Sequence, residues 1–123
     1  MTVAQFHEEH VRVDPDRLGQ LYFNLGEAGA ENAICQAMET LALRLGELPR
    51  LQRAGDLDGL GRTARSMVGI AEEIGMAAMA RVAGDVADTC KRGDAPAAAA
   101  TASRLSRIGD SSLTALCQLH MAT

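Results

Sequence analysis

The side chains with the clearest chemical use sit together near the middle of the sequence. Arg62 and Arg65 are three positions apart, Ser66 adjoins them, and Gly69, Glu72 and Glu73 follow. Guanidinium groups at this spacing share a helix face, and each can pair with a partner's carboxylate through charge-assisted hydrogen bonds. Neither can act as a nucleophile, because a guanidinium stays protonated at physiological pH and offers no lone pair. By residue type alone these are charged groups that can form ion pairs, within the chain or with another molecule.

The helix that must carry these residues is legible from its apolar stripe. Leu57, Leu60, Ala64, Met67, Ala71 and Ile74 recur in alternating steps of three and four, which predicts a helix over 57–74. With Met67 centred on the buried side, Arg65 and Gly69 fall about 160° away on either flank, so both face solvent. Arg62 and Glu72 flank them. A glycine in mid-helix costs roughly 1 kcal/mol against alanine, and on a solvent face it gains no packing in return. Close approach of another molecule to the backbone explains such a residue. The plain alternative is a solvated face laced by i,i+3 and i,i+4 charge pairs, on a helix weakened by glycine.

Other constellations carry less. His7-Glu8-Glu9-His10 places two imidazoles at a spacing that suits a metal, but no second cluster completes a ligand set, so an exposed polar arm and no metal are expected. The core helices offer no Glu-x-x-His pair for a di-metal carboxylate centre. Ser66, Ser103, Ser106, Ser111 and Ser112 have no neighbouring base, and no nucleophile elbow, phosphate loop or dinucleotide fingerprint occurs. The chain is therefore expected to be no enzyme and to need no cofactor. Cys35, Cys90 and Cys117 are odd in number and include no Cys-x-x-Cys, which argues against a disulfide framework or zinc site and for small buried hydrophobes in a cytoplasmic protein.

Composition bounds the rest. The 123 residues suit one domain. Aromatics are 2% (Phe6, Tyr22 and Phe23), so the core must be built from Leu, Ile, Val, Met and Ala, which favour packed helices. A net charge of −4 argues against nucleic acid as a partner. No apolar run reaches the roughly 20 residues of a membrane span, and the N-terminus lacks a signal-peptide pattern.

Residues 1–13 read as a loose arm, followed by one domain over 14–121. Asp14-Pro15 begins a short helix with Leu18, Leu21, Tyr22 and Leu25 inward, closed by Gly26 and Gly29. A second helix over 31–53 carries Ile34, Met38, Leu41, Leu45, Leu48 and Leu51, and Pro49 should kink or end its last turn. Ala54-Gly55-Asp56 is a stop and a fresh cap. After Gly75 comes a helix over 77–92 with Met79, Val82, Val86 and Cys90 inward, and Lys91 and Arg92 complementing its dipole. Past Gly93-Asp94-Ala95-Pro96, a last helix to about 120 carries Leu105, Ile108, Ser112, Leu116 and Leu119. The fold class is all-α: an antiparallel four-helix bundle with a short extra N-terminal helix.

At this point the stretch from Ala64 to Met76 resembles the signature helix of histidine phosphotransfer (HPt) domains. That family's pattern is Ala-His-x-Leu-Lys-Gly, then small residues, an apolar residue and a glycine at the helix end. Ala64, Met67 in place of Leu, Gly69, Ile74 and Gly75 match it. Ala54-Gly55-Asp56, Arg92-Gly93-Asp94 and the helix containing Leu105 are also similar to the family, so the resemblance spans about 16–120. Two positions depart: Arg65 stands where the family has its phosphoacceptor histidine, and Val68 where it has a lysine. His7, His10 and His120 lie outside the motif.

The resemblance implies an HPt-like fold and a place in two-component phosphorelay signalling. The partners it implies are a response-regulator receiver domain and a sensor histidine kinase. A receiver's active site is an acidic pocket that normally holds a metal ion. A pseudo-HPt module would present Arg65 to those carboxylates, with Gly69 giving access, Arg62 and Ser66 in support, and Glu72 and Glu73 setting electrostatic register. An apolar rim around Arg65 and Gly69 would suit such docking. The competing expectation is a structural or adaptor bundle that acts by protein–protein or self-association, with no phosphorelay role.

Overall fold

The computed structural model describes residues 13–122, with side-chain surroundings as far as Gln118. These form four helices: α1 (Pro15–Ala54), α2 (Leu57–Glu73), α3 (Ala77–Lys91) and α4 (Ala95–Ala122). No strand occurs among the described residues, and the one extended pairing is an isolated bridge between Val13 and Met76.

Local chemistry sets where three of the helices begin. The Asp14 carboxylate accepts from Asp16 N–H at 3.0 Å, with Pro15 in the first turn. The Asp56 carboxylate accepts from Gly59 N–H at 2.9 Å, and Asp94 from Ala97 N–H at 3.2 Å. Each satisfies a donor that the first helical turn leaves without a partner.

One expectation about breaks needs correction, and so does one of the two outcomes expected at Pro49. The short N-terminal helix is not separate. Only Gly26 leaves helical conformation, at φ 76° and ψ 172°, and the helix resumes at once, giving a kinked α1. Gly29 stays helical between Ala28 and Ala30, both strong helix formers. Pro49 does not end the helix, which runs on to Ala54 with Gly26 its one non-helical residue. A mid-helix proline costs about 3 kcal/mol, but Leu45, Leu48 and Leu51 around it are all buried. At about 1.5–3 kcal/mol each, they outweigh it.

The core is assembled from the stripes read in the sequence. Ile34, Leu41, Leu45, Leu48 and Leu51 of α1 meet Leu60, Ala64, Met67 and Ala71 of α2, Met79, Val82, Val86 and Cys90 of α3, and Leu105 and Leu116 of α4. Met38, Leu57 and Ile108 are half-buried against it, and Ser112 is buried. Leu119 lies beyond the described side chains. Glycine sets the spacing where helices cross. A Cβ on Gly61 would come 3.1 Å from Cys90 Cβ, and one on Gly109 would run into the Leu45 methyls at 2.5 and 2.6 Å. Gln52 reaches from α1 to the Ala99 carbonyl at 3.3 Å, and the buried Thr89 hydroxyl bonds the Val86 carbonyl and Thr101.

The inward stripe expected at the start of α1 is split. Leu18 is half-buried and Leu21 buried, but Tyr22 and Leu25 are exposed beside an 89% exposed Phe23. One turn touches the rest of the molecule, and over the next, leading into the Gly26 break, no element packs among the described residues.

Of residues 1–13, only Val13 is described. It is half-buried at its bridge to Met76, and Asp14 N–H donates to the Gly75 carbonyl at 2.7 Å. Gly75 therefore does more than end a helix. It sits at φ +78°, and a Cβ there would lie 2.9 Å from the Asp14 carbonyl oxygen. Gly55 has a similar φ of +66° but open space around it. Gly75→Ala should lower stability by about 2 kcal/mol or more, and Gly55→Ala by about 1 kcal/mol, both read from urea midpoints at constant m-value. Equal losses would show that the contact with Asp14 adds no constraint.

Candidate partner-binding face on α2

The Asp56 cap and the buried stripe fix α2 in rotation, so its opposite side is set as well. Arg62, Arg65, Ser66, Gly69, Glu72 and Glu73 are all exposed. The glycines of this helix separate by surroundings. A Cβ on Gly59 would run into the capping Asp56 carboxylate, and one on Gly61 would press on Cys90. A Cβ on Gly69 would meet nothing within 4 Å.

The charged groups of this face are not tied to one another. Among the described residues the ion pair formed is Arg44–Glu47, at 3.5 Å on α1. Neither Arg65, Glu72 nor Glu73 has an opposite charge three or four positions away, so the laced, self-paired face is not what α2 presents. Asp58 stands four residues before Arg62, yet no pair forms within 4.0 Å. Ser66 Oγ donates to the Thr63 carbonyl at 2.7 Å, which leaves it as an acceptor on the surface.

The six residues fall into separate surroundings. Arg62 and Arg65 line a groove of about 270 Å³ with Leu57, Asp58, Gly61, Ala87, Cys90 and Lys91. Glu72 lines a cleft of about 490 Å³ with Asp14, Arg17, Gly75, Ala77, Ala80 and Arg81. Ser66, Gly69 and Glu73 line neither. Sequence reasoning missed Lys91 and Asp58 in the first, and Arg17 and Arg81 in the second. From sequence, Lys91 has a sufficient explanation in the dipole of its own helix. The signal that could have found it is Gly61, which packs against Cys90 and so brings the start of α2 beside the end of α3.

Among the described residues no large exposed apolar side chain rims this face. Val68 and Ile70 are half-buried against the core, and the exposed large hydrophobics, Tyr22, Phe23, Leu25 and Leu43, all belong to α1. The cysteines also need correction. Cys90 is buried, but Cys35 and Cys117 are exposed, each one residue past its helix's apolar stripe at Ile34 and Leu116. Burial, and then the nearby Asp58 charge, push the Cys90 thiol up, so it is neutral at pH 7. His7 and His10, with the metal spacing they offer, lie outside the described residues, as does the side chain of His120. Among the described residues no group of three His, Cys, Asp or Glu side chains is placed to hold a metal. None of the described helices is long and apolar enough to cross a membrane.

No family model, curated protein or solved structure matches the chain.

The glycines give a direct test of what α2 gives up. Gly69→Ala should stabilise the protein by about 0.5–1 kcal/mol and raise its thermal midpoint by about 2–4 °C. Gly61→Ala should lower the midpoint. A lower midpoint for Gly69→Ala would assign that glycine a packing role instead.

Proposed function

We propose that this chain is a cytoplasmic, HPt-like signalling module that docks a response-regulator receiver domain through the exposed face of α2 and carries no phosphate at Arg65. The observation that carries this reading is the pairing of Arg65 with Gly69. One is a cation free of ion pairs among the described residues; the other is a mid-helix glycine whose missing side chain serves no internal contact. The antiparallel HPt-like arrangement is supported by Leu45 against Gly109 and Gln52 against Ala99, where advance along α1 is retreat along α4.

In this reading Arg65 enters the acidic pocket of the receiver and forms charge-assisted hydrogen bonds with its carboxylates. Arg62 adds to the attraction, Gly69 lets the partner's loops reach the helix backbone, and Glu72 and Glu73 repel the wrong register. Ser66 borders the contact as a surface acceptor. A sensor histidine kinase belongs to the same pathway through the receiver.

The test is a binding and label-transfer experiment with purified receivers. Arg65→Ala should weaken the complex about tenfold or more, and wild type should take no stable label from a phosphorylated receiver. Arg65→His should gain label. Unchanged affinity in Arg65→Ala, or stable label on the wild-type chain, overturns the reading.

Two observations favour the second reading, an adaptor bundle acting by self-association: among the described residues no exposed large hydrophobic rims Arg65 and Gly69, and Phe23, Tyr22 and Leu25 are exposed apolar residues on α1. If it is right, sedimentation will show a dimer that Phe23→Ser converts to monomer. A wild-type monomer at all concentrations removes self-association.

A further inference from the structure

We infer that the groove between the start of α2 and the end of α3, rimmed by Arg62, Arg65 and Lys91, binds a single small oxyanion, phosphoryl or carboxylate. It shares Arg62 and Arg65 with the docking face proposed above, but it goes beyond that reading, because it requires no receiver.

Charge distribution is the first support. The groove holds three cations against one acid, Asp58, in a chain with 12 Lys and Arg against 16 Asp and Glu. Carboxylates are in surplus, yet here cations are gathered. None of the three is in an ion pair among the described residues. Like charges at the Arg62–Arg65 spacing repel by a few tenths of a kcal/mol, a cost that an anion between them removes.

Geometry is the second. Gly61 lets α2 approach Cys90 closely, and Leu57, Ala87 and Cys90 line the groove together with the three cations. The buried Cys90 thiol is neutral and adds no competing negative charge. The two helix ends oppose each other here, the positive end of α2 against the negative end of α3, so the attraction belongs to the side chains. At about 270 Å³ the space falls short of ordinary drug-sized pockets. It suits one anionic head group with its waters, and two guanidinium forks with an ammonium match the several oxygens of such a group.

The test is a titration of the full-length chain followed by amide NMR, with inorganic phosphate and acetate as probes at constant ionic strength. Saturable shifts should be confined to the groove segments of α2 and α3. Arg65→Gln and Lys91→Gln should each weaken binding about threefold or more, and Asp58→Asn should tighten it about twofold. Arg104→Gln, which removes the same charge from exposed α4, should change nothing. Tighter phosphate than acetate assigns a phosphoryl ligand, and the reverse assigns a carboxylate. Shifts that do not saturate, or equal weakening by Arg104→Gln, overturn the proposal. Receiver binding without these shifts overturns the oxyanion site alone, and localised shifts without receiver binding overturn the docking reading alone.

Discussion

The close approach of α2 to α3 at Gly61 and Cys90 is the contact on which the surface of this molecule depends. A Cβ at Gly61 would already be 3.1 Å from Cys90 Cβ, tighter than ordinary van der Waals contact. Ala64 and Ala71 on α2, and Ala80 and Ala83 on α3, are buried with little side-chain bulk. Short side chains allow close helix spacing, and close spacing leaves no room for rings in the core. The chain has few rings to place, and the two aromatic residues described, Tyr22 and Phe23, are exposed on α1. The same contact brings Lys91 to the edge occupied by Arg62 and Arg65. A wider separation of the helices would bury the core less completely and would disperse those cations.

Burial follows helical period here because each of these helices has one side to cover. That is why the stripe from Ile34 to Leu51 and the stripe from Leu57 to Ile74 were legible from spacing alone. The caps at Asp14, Asp56 and Asp94 were legible for a different reason: a cap is a contact between residues two or three apart. The errors come from weighing local preference without its tertiary opponent. Pro49 disfavours helix by an amount that its buried leucine neighbours exceed. Tyr22 and Leu25 have the right spacing for burial, but spacing cannot reveal whether a second element lies above them.

The site was legible to the same depth. Exposure of Arg62, Arg65 and Gly69 follows from their angle to Met67, a property of one helix. Grouping Arg62 and Arg65 with Lys91, or Glu72 with Arg17 and Arg81, depends on which helices adjoin and at what height. Nothing within the 57–74 stretch encodes that. Gly61 and Gly69 make the point most sharply. As letters in a helix they are equivalent, and only the presence of Cys90 beside one, and of empty space beside the other, separates a packing glycine from a surface one.

That separation bears on what the α2 surface is for. The buried side of α2 is well made: a capped start, a continuous apolar stripe and a glycine fitted to its neighbour. Its exposed side runs the other way. Gly69 forgoes about 1 kcal/mol of helix stability, Arg62 and Arg65 repel, and none of the four charges Arg62, Arg65, Glu72 and Glu73 is compensated by an ion pair among the described residues. Neither feature is confined to α2, since Gly19, Gly46 and Gly84 also have open space where a Cβ would lie and Arg44–Glu47 is the ion pair formed among the described residues; what α2 adds is a groove with a net positive lining in an acidic chain. In the docking reading proposed above, an external acidic group would give the cations of this face a partner and would use the open space at Gly69.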